Sequence, residues 1–564
     1  MEKHAMEPSV QKRATGAKEI VRFLEDHGYG HMFGLPGSSM VATLYEMQES
    51  SVQYVPTIHE SVTIAAADGY ARVKGKACAS IYMAPGTANA LANLYNAWWA
   101  ESPILVMASQ LDSTERSAGS NGMICEGDTV QIVKPFTRLA HELGRDMVVR
   151  PWLERAHRAA TSMPKGPAFL SICEDVYERE GPVEDVPPPY RAPSRTADVS
   201  AIVTALATAE RPLIVVGSQL RQSGGAALVE ALSDRYEIPV GYDGGFQAGL
   251  GVGPGRARTV GTVMGRGVAF QNEADVVVLI GANLFADGKR REKPWFSNAK
   301  FIAQANADPK RIEHTQFANW TSVCDPAAFA EALLEGLAAE PPRAELQEKR
   351  GKWIKSLVAA AREPRPQPTD ATGLAFANYA KGASYVRDAL NQGWVVDESV
   401  MATPMIIDAQ NCEDGRRYCG APGGSLGWAT GAAAGVAIAS NEPVTCVVGD
   451  GSLRFGVHGL WTIAALNLPI TIVVLDNGGY GSTRFFEREY IARRGIETNL
   501  TKPSYYNMDL RSLGPSVASV IRGFGIDCTE LSPEDDVDAA LKTAWAARGK
   551  GPNAVIIPIG FEGY

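Results

Sequence analysis

The sequence has no long apolar run: stretches such as Thr445–Val448 and Ile470–Leu475 fall far short of the roughly 20 residues a membrane-spanning helix needs. Its first twelve residues are polar, without the apolar core of an export signal, so a cytoplasmic location is expected. No basic block longer than a few residues occurs, and 63 Asp and Glu outnumber 54 Lys and Arg. Nucleic acid therefore has no electrostatic footprint to bind, and small molecules are the expected partners. The eight cysteines form no Cys-x-x-Cys pair and are expected as reduced, mostly buried thiols. Histidine is scarce, with eight residues and no two adjacent.

What is there is an ordinary globular composition, 45% hydrophobic and 21% charged, over 564 residues, enough for about three domains. Two Pro-rich polar stretches, Gly181–Asp198 and Ala339–Thr372, carry no core-facing period and are expected to be linkers. They divide the chain into 11–185, 195–345 and 373–564. Each part alternates short β-branched runs with longer helical patterns, the signature of βαβ units. The expected fold class is α/β, three doubly wound domains with mostly parallel sheets. Strands are expected at Cys78–Tyr82, Ile104–Met107, Leu213–Val216, Asp275–Ile280, Val444–Val448 and Ile470–Leu475, with a helix over Thr87–Ala100. A faint repeat is visible, because Gly86 leads through Trp98-Trp99 to Pro103 and a strand, and Gly451 leads through Leu460-Trp461 to Pro469 and a strand. The first and third domains are therefore expected to share one topology.

The most informative segment runs from Val448-Gly-Asp-Gly-Ser-Leu453 to Leu475-Asp-Asn-Gly-Gly-Tyr-Gly481. Right-handed crossover opens the loops after both strands at one carboxyl edge, so Asp450 and Asn477, 27 positions apart, can meet at one cation. One charged and one neutral hard oxygen, with a loop carbonyl nearby, suit Mg²⁺ held together with phosphates. Gly449, Gly451, Gly478 and Gly479 let the backbone approach closely, and the helix after Ser452 aims N–H groups at a diphosphate. Either loop alone is a common turn sequence. The pair at this spacing is a ligand set.

These residues resemble the thiamine diphosphate enzyme superfamily, whose motif is Gly-Asp-Gly followed after 25 to 30 residues by Asn-Asn; here Asp476-Asn477 stands for the second pair. The resemblance implies metal ligation by Asp450, Asn477 and the Gly479 carbonyl, with Asp476 as the departure. It makes Glu60, in Tyr54-Val-Pro-Thr-Ile-His-Glu60, the acid that shares a proton with the cofactor pyrimidine so that the thiazolium C2 can lose its own. In Cys419–Trp428 it makes Leu426 the aliphatic wedge between the two rings and the Gly424 carbonyl the aminopyrimidine acceptor. Gly449, Gly451, Ser452, Ser399 and Tyr480 are the remaining implied cofactor contacts.

Domain order matches the decarboxylase and acetolactate synthase branch, and Phe33–Ser38, Ala84–Asn89 and Tyr480–Phe485 follow benzoylformate decarboxylases. Ser38 falls on their substrate-facing serine, while Tyr82 stands where they have a histidine. The absence of adjacent histidines excludes the pyruvate decarboxylase pattern. Proton transfer is left to His31, Tyr82, water or the cofactor's amino group, which favours carbon–carbon ligation or cleavage over simple decarboxylation. The expected reaction is therefore lysis or ligation at a 2-oxo acid, with an aldehyde or ketone as co-substrate, in a homodimer or homotetramer whose active sites lie at the interface. Arg211–Gly217, Gly261–Gly267 and Asn306–Lys310 resemble the layout of FAD- or ADP-binding middle domains, with Asp308 for a ribose and Arg266 for a phosphate. No full dinucleotide fingerprint is present. The alternatives are a 2-hydroxyacyl-CoA lyase or oxalyl-CoA decarboxylase-like enzyme, and a catalytically silent partner subunit.

Overall fold

Buried β-branched runs build three parallel six-stranded sheets in a computed structural model, which describes residues 13–118, 128–183, 198–243, 248–263, 270–283, 295–313, 317–362, 379–496 and 506–560. The chain divides into two compact units, Met1–Ala192 and Pro193–Tyr564. Among the described residues no helix is long and apolar enough to cross a membrane.

In the first unit β1 (Arg13–Thr15) is followed by β2 (His31–Gly34), β3 (Gln53–Pro56), β4 (Ala77–Ile81), β5 (Ile104–Gln110), β6 (Leu139–Leu143), β7 (Ala168–Cys173) and β8 (Glu180–Pro182). The outer two form a small antiparallel ribbon, and the six between them make a parallel sheet ordered β3-β2-β4-β5-β7-β6. The helix Glu60–Lys74 starts because the His59 ring accepts the Ser61 N–H, and it stops at Gly75, whose φ of +82° a side chain would strain.

The second unit holds two sheets. β9 (Pro212–Val216), β10 (Val240–Tyr242), β11 (Thr259–Thr262), β12 (Val276–Ile280), β13 (Phe301–Asn306) and β14 (Trp320–Val323) lie in the order β11-β10-β9-β12-β13-β14. β15 (Trp394–Glu398), β16 (Tyr418–Gly420), β17 (Val444–Gly449), β18 (Ile470–Asp476), β19 (Asp527–Glu530) and β20 (Asn553–Pro558) lie in the order β16-β15-β17-β18-β20-β19. Counted within each sheet, the first and third share the order 2-1-3-4-6-5, as the faint repeat implies, and the middle one has 3-2-1-4-5-6. The latter is the order of dinucleotide-binding sheets.

The Ala339–Thr372 stretch corrects one expectation. Ala344–Arg362 is a 19-residue helix rather than linker. Arg350, Trp353, Ile354 and Leu357 recur at helical spacing and are buried. Trp353 and Leu357 join the core on one face of the middle sheet, and the Arg350 guanidinium caps carbonyls of Leu206, Ala209 and Tyr236. Pro364–Pro368 lies outside the described residues, as does most of Gly181–Asp198. The middle and third sheets share one apolar core, running from Ile202 and Val240 to Ile406, Val447 and Val555.

Candidate active site

In the third sheet the strand order reverses between β15 and β17, where doubly wound sheets open a crevice at their carboxyl edge. β17 and β18 run side by side in register from Val444 with Ile470 to Gly449 with Leu475, so the loops beyond them emerge together. A cleft of about 290 Å³ lies there. It is lined by Ser399, Gly424, Leu426, Gly449, Asp450, Gly451, Ser452, Asn477, Gly479 and Tyr480, together with Val400, Met401 and Thr483. All ten residues named for the cofactor and metal from the sequence therefore border one space. The helix starts earlier than expected, at Asp450, and is only six residues long before the next begins at His458.

Asp450 is 2% exposed, and the Asn477 N–H donates to its carboxylate. Burial, and then the neighbouring Asp476 charge, push its pKa up to about 7. Asn477 Oδ1 accepts the Gly479 N–H at 2.9 Å and the Gly479 carbonyl accepts the Gly481 N–H at 2.9 Å, which fixes both oxygens beside the cleft. A methyl group added at Gly449 or Gly451 would meet nothing nearer than 3.9 Å. The space beside these glycines belongs to the cleft, not to packed protein.

The two acids before Ser399 face away from this task. Asp397 accepts the Ser399 N–H and the Tyr418 hydroxyl, each at 2.8 Å. Glu398 accepts the N–H groups of Gly427 at 2.6 Å and Ala429 at 2.7 Å, and burial pushes its pKa up to about 8. Glu398 thus clamps the segment that carries Gly424 and Leu426. The sequence shows an acid there, but only the fold shows what it holds.

The first unit gathers a second set at the carboxyl edge of its own sheet. Glu60, 8% exposed, accepts from Asn89 Nδ2 at 3.1 Å, and its carboxylate lies against Gly86, where a Cβ would come within 2.6 Å of Oε1. Gly86 and Asn89 lie in the Ala84–Asn89 motif, yet their contact with Glu60 was not legible from it. Tyr82, half-buried, follows β4 directly and packs its ring on Gly37, the residue before exposed Ser38. His31 is a correction. It opens β2, at the opposite edge of the sheet from Ser38, and its Nδ1 pairs with the Tyr70 hydroxyl at 3.1 Å, while burial lowers its pKa. A strand of four residues separates it from the loop it adjoins in sequence.

Three family descriptions match in order along the chain. They are the thiamine pyrophosphate enzyme N-terminal TPP binding domain over residues 14–132, the central domain over 199–333 and the C-terminal TPP binding domain over 405–557. The chain belongs to the thiamine pyrophosphate enzyme family. Within it, the chain is 25% identical over 536 residues to a benzoylformate decarboxylase of Pseudomonas aeruginosa, covering 93% of this chain and 95% of that one. It is 25% identical over 522 residues to an acetolactate synthase of Arthrospira platensis, covering 87% and 86%. The fold superposes on a benzoylformate decarboxylase structure from Polynucleobacter necessarius with a TM-score of 0.81 at 20% identity, covering 97% and 99% of the two chains.

As a thiamine pyrophosphate enzyme of the decarboxylase and acetolactate synthase branch, this chain offers residues that fit the cofactor. A buried carboxylate, an amide oxygen and a loop carbonyl beside side-chain-free backbone suit a hard cation and a diphosphate. The family's middle domain is a different case. Asp308 is buried, caps the Lys310 N–H at 3.0 Å and lies 3.8 Å from Arg311, so its carboxylate is already engaged. Arg266 lies outside the described residues.

Proposed function

We propose that this chain is a cytoplasmic lyase or carboligase that depends on thiamine diphosphate and Mg²⁺ and acts on a 2-oxo acid, with an aldehyde or ketone as acceptor. The cleft that unites Asp450, Asn477, Gly479, Gly449, Gly451, Ser452, Leu426, Gly424, Ser399 and Tyr480 carries the reading. Asp450, Asn477 and the Gly479 carbonyl hold the cation, and the backbone of Gly449 to Ser452 receives the diphosphate. Bound thiamine diphosphate supplies a nucleophilic carbon and an electron sink for the bond that breaks beside the substrate carbonyl. Glu60 holds the proton for the pyrimidine nitrogen, with Asn89 and Gly86 fixing its carboxylate. Ser38 and Tyr82 face the 2-oxo acid. Tyr82, standing where benzoylformate decarboxylases have a histidine, would orient the substrate through its hydroxyl rather than serve as a general acid, which favours ligation to an acceptor carbonyl.

Glu60 and the metal loops belong to different units of the chain, and homologous copies assembled as a homodimer or homotetramer would complete each other's sites. Full activity from a monomer by light scattering would overturn that assembly. For the reaction, apo protein is titrated with thiamine diphosphate with and without Mg²⁺ by circular dichroism, then given a panel of 2-oxo acids with and without an aldehyde. Cation-dependent saturation and a 2-hydroxy ketone as main product are expected. No binding overturns the cofactor assignment, and free aldehyde as the main product makes this a plain decarboxylase. The presence of Glu60, Asp450 and Asn477 together argues against a silent partner subunit. The 3-2-1-4-5-6 order of the middle sheet is the one observation favouring a CoA-linked lyase, and titration with ADP or FAD tests it.

A further inference from the structure

The loop between β18 and the helix Gly481–Arg494 is gripped from outside by residues 508–511. Tyr480 N–H donates to the Met508 carbonyl at 3.2 Å, Leu510 N–H donates to the Gly478 carbonyl at 3.0 Å, and Gly479 pairs with Asp509 as an antiparallel bridge. At the end of this grip Arg511 Nη2 lies 3.3 Å from Asp476 Oδ1 and donates to the Asp476 carbonyl at 3.1 Å. The guanidinium covers Gly478 so closely that a Cβ there would stand 3.1 Å from Cζ. Asp476 Oδ1 also accepts the Gly478 N–H at 2.8 Å, and Asp509 Oδ1 turns the Arg511 backbone toward the loop at 2.9 Å. Asp476 is the residue at which the sequence departs from Asn-Asn, adding one negative charge directly before Asn477.

We infer that Arg511 is a positioning residue that offsets the negative charge Asp476 adds to the loop, beside the buried Arg484 guanidinium that already holds the Gly478 and Met508 carbonyls. This rests on the thiamine diphosphate and Mg²⁺ reading above. The pair is half-exposed, with side-chain exposures of 51% and 17%, so its own contribution to folding is small. Its effect would fall on a charged ligand held at the adjoining Asn477 and Gly479. An uncompensated carboxylate beside a diphosphate weakens its binding about tenfold at low salt, and the deficit shrinks as salt screens it.

The test is the thiamine diphosphate affinity at saturating Mg²⁺, read by intrinsic fluorescence, for wild type, Arg511→Ala, Asp476→Asn and the double variant, at about 0.05 M and 0.5 M salt. Arg511→Ala should bind about tenfold more weakly at low salt and recover most of the loss at high salt. The double variant should return to within about twofold of wild type, and unchanged melting temperatures show that the fold is intact. If the double variant stays as weak as Arg511→Ala, or if salt leaves the deficit unchanged, Arg511 acts only by packing and the inference fails. If Arg511→Ala binds like wild type, it fails as well. Wild type that binds no thiamine diphosphate overturns the underlying reading and this inference with it; binding by wild type with flat variants overturns the inference alone.

Discussion

The first and third sheets share one strand order and differ in what stands at the reversal of that order. After β4 the first sheet places Tyr82 and then Met83, whose φ is +25°; after β17, the equivalent strand, the third sheet places Gly449 and Asp450. One scaffold thus presents an aromatic ring in one copy and a buried carboxylate in the other. The chemistry is fixed by a few loop residues while the buried strands stay interchangeable. Two buried glutamates repeat the contrast. Glu398 meets the backbone N–H groups of Gly427, Trp428 and Ala429 and serves as a clamp, whereas Glu60 meets the Asn89 side chain and a bare glycine.

The sharpest way to break this contrast is to remove the chemistry from each loop set in turn. Glu60→Gln should keep cofactor binding and lose C2 proton exchange by about 10²–10⁴-fold. Asp450→Ala should instead lose about 2–5 kcal/mol of cofactor affinity. Proton exchange followed by NMR, beside a binding titration, separates them. Normal exchange in the Gln variant would remove Glu60 from the mechanism.

The clamp makes a different prediction, on stability. Glu398 has a folded pKa of about 8 against 4.5 in an ordinary glutamate, so between those values the unfolded chain has released a proton that the fold retains. Stability of the apo protein therefore falls as pH rises through that window, by about 1.4 kcal/mol per pH unit, and levels off above it. Asp450 acts with the same sign up to about 7. Above about pH 7 Glu398 continues to contribute, and Glu398→Gln should make the decline of denaturant midpoint there shallower. An unchanged slope would assign the decline elsewhere.

Smaller effects probe the aromatic ring. Tyr82→His should shift the products of a 2-oxo acid and aldehyde mixture toward free aldehyde by several-fold, because an imidazole can protonate the carbanion near neutral pH. Chromatography of the products decides it, and an unchanged ratio would clear Tyr82 of any part in partitioning. Least of all, His31→Gln should leave kcat/KM within about twofold, since a side chain at the far edge of the sheet touches nothing that reacts. A larger loss would mean that His31 reaches the site by a route the strand does not suggest.

Much of this arrangement was legible in the sequence for physical reasons. Strands such as Val444–Gly449 announce themselves by β-branched runs ended by glycine, and Asp450 with Asn477 stand out because right-handed crossover forces both loops to one edge. The spacing from Gly86 to Pro103 and from Gly451 to Pro469 anticipated the shared topology. The failures have equally physical causes. His31 is adjacent to the Gly-Leu-Pro-Gly loop in sequence, but an extended strand carries neighbours away from each other. The helix Ala344–Arg362 was hidden because a polar, Pro-flanked stretch outweighed four buried positions at helical spacing. Partners such as Asn89 for Glu60, Gly427 for Glu398 and Arg511 for Asp476 depend on long-range approach, which no local pattern encodes.

The core that runs without interruption from the middle sheet into the third ties two architectural modules into one melting unit. The helix Thr403–Ala409 lies against the edge strand β11, with Asp408 accepting the Thr262 N–H at 3.1 Å, and Gly255 N–H reaches the Cys412 carbonyl at 2.7 Å. A cut placed between these sheets would expose apolar surface on both sides, so neither half is a transplantable part. The middle sheet thus buttresses the third: among the described residues it adds none to the lining of the cleft, yet it shares the apolar core from which the strands under that cleft rise.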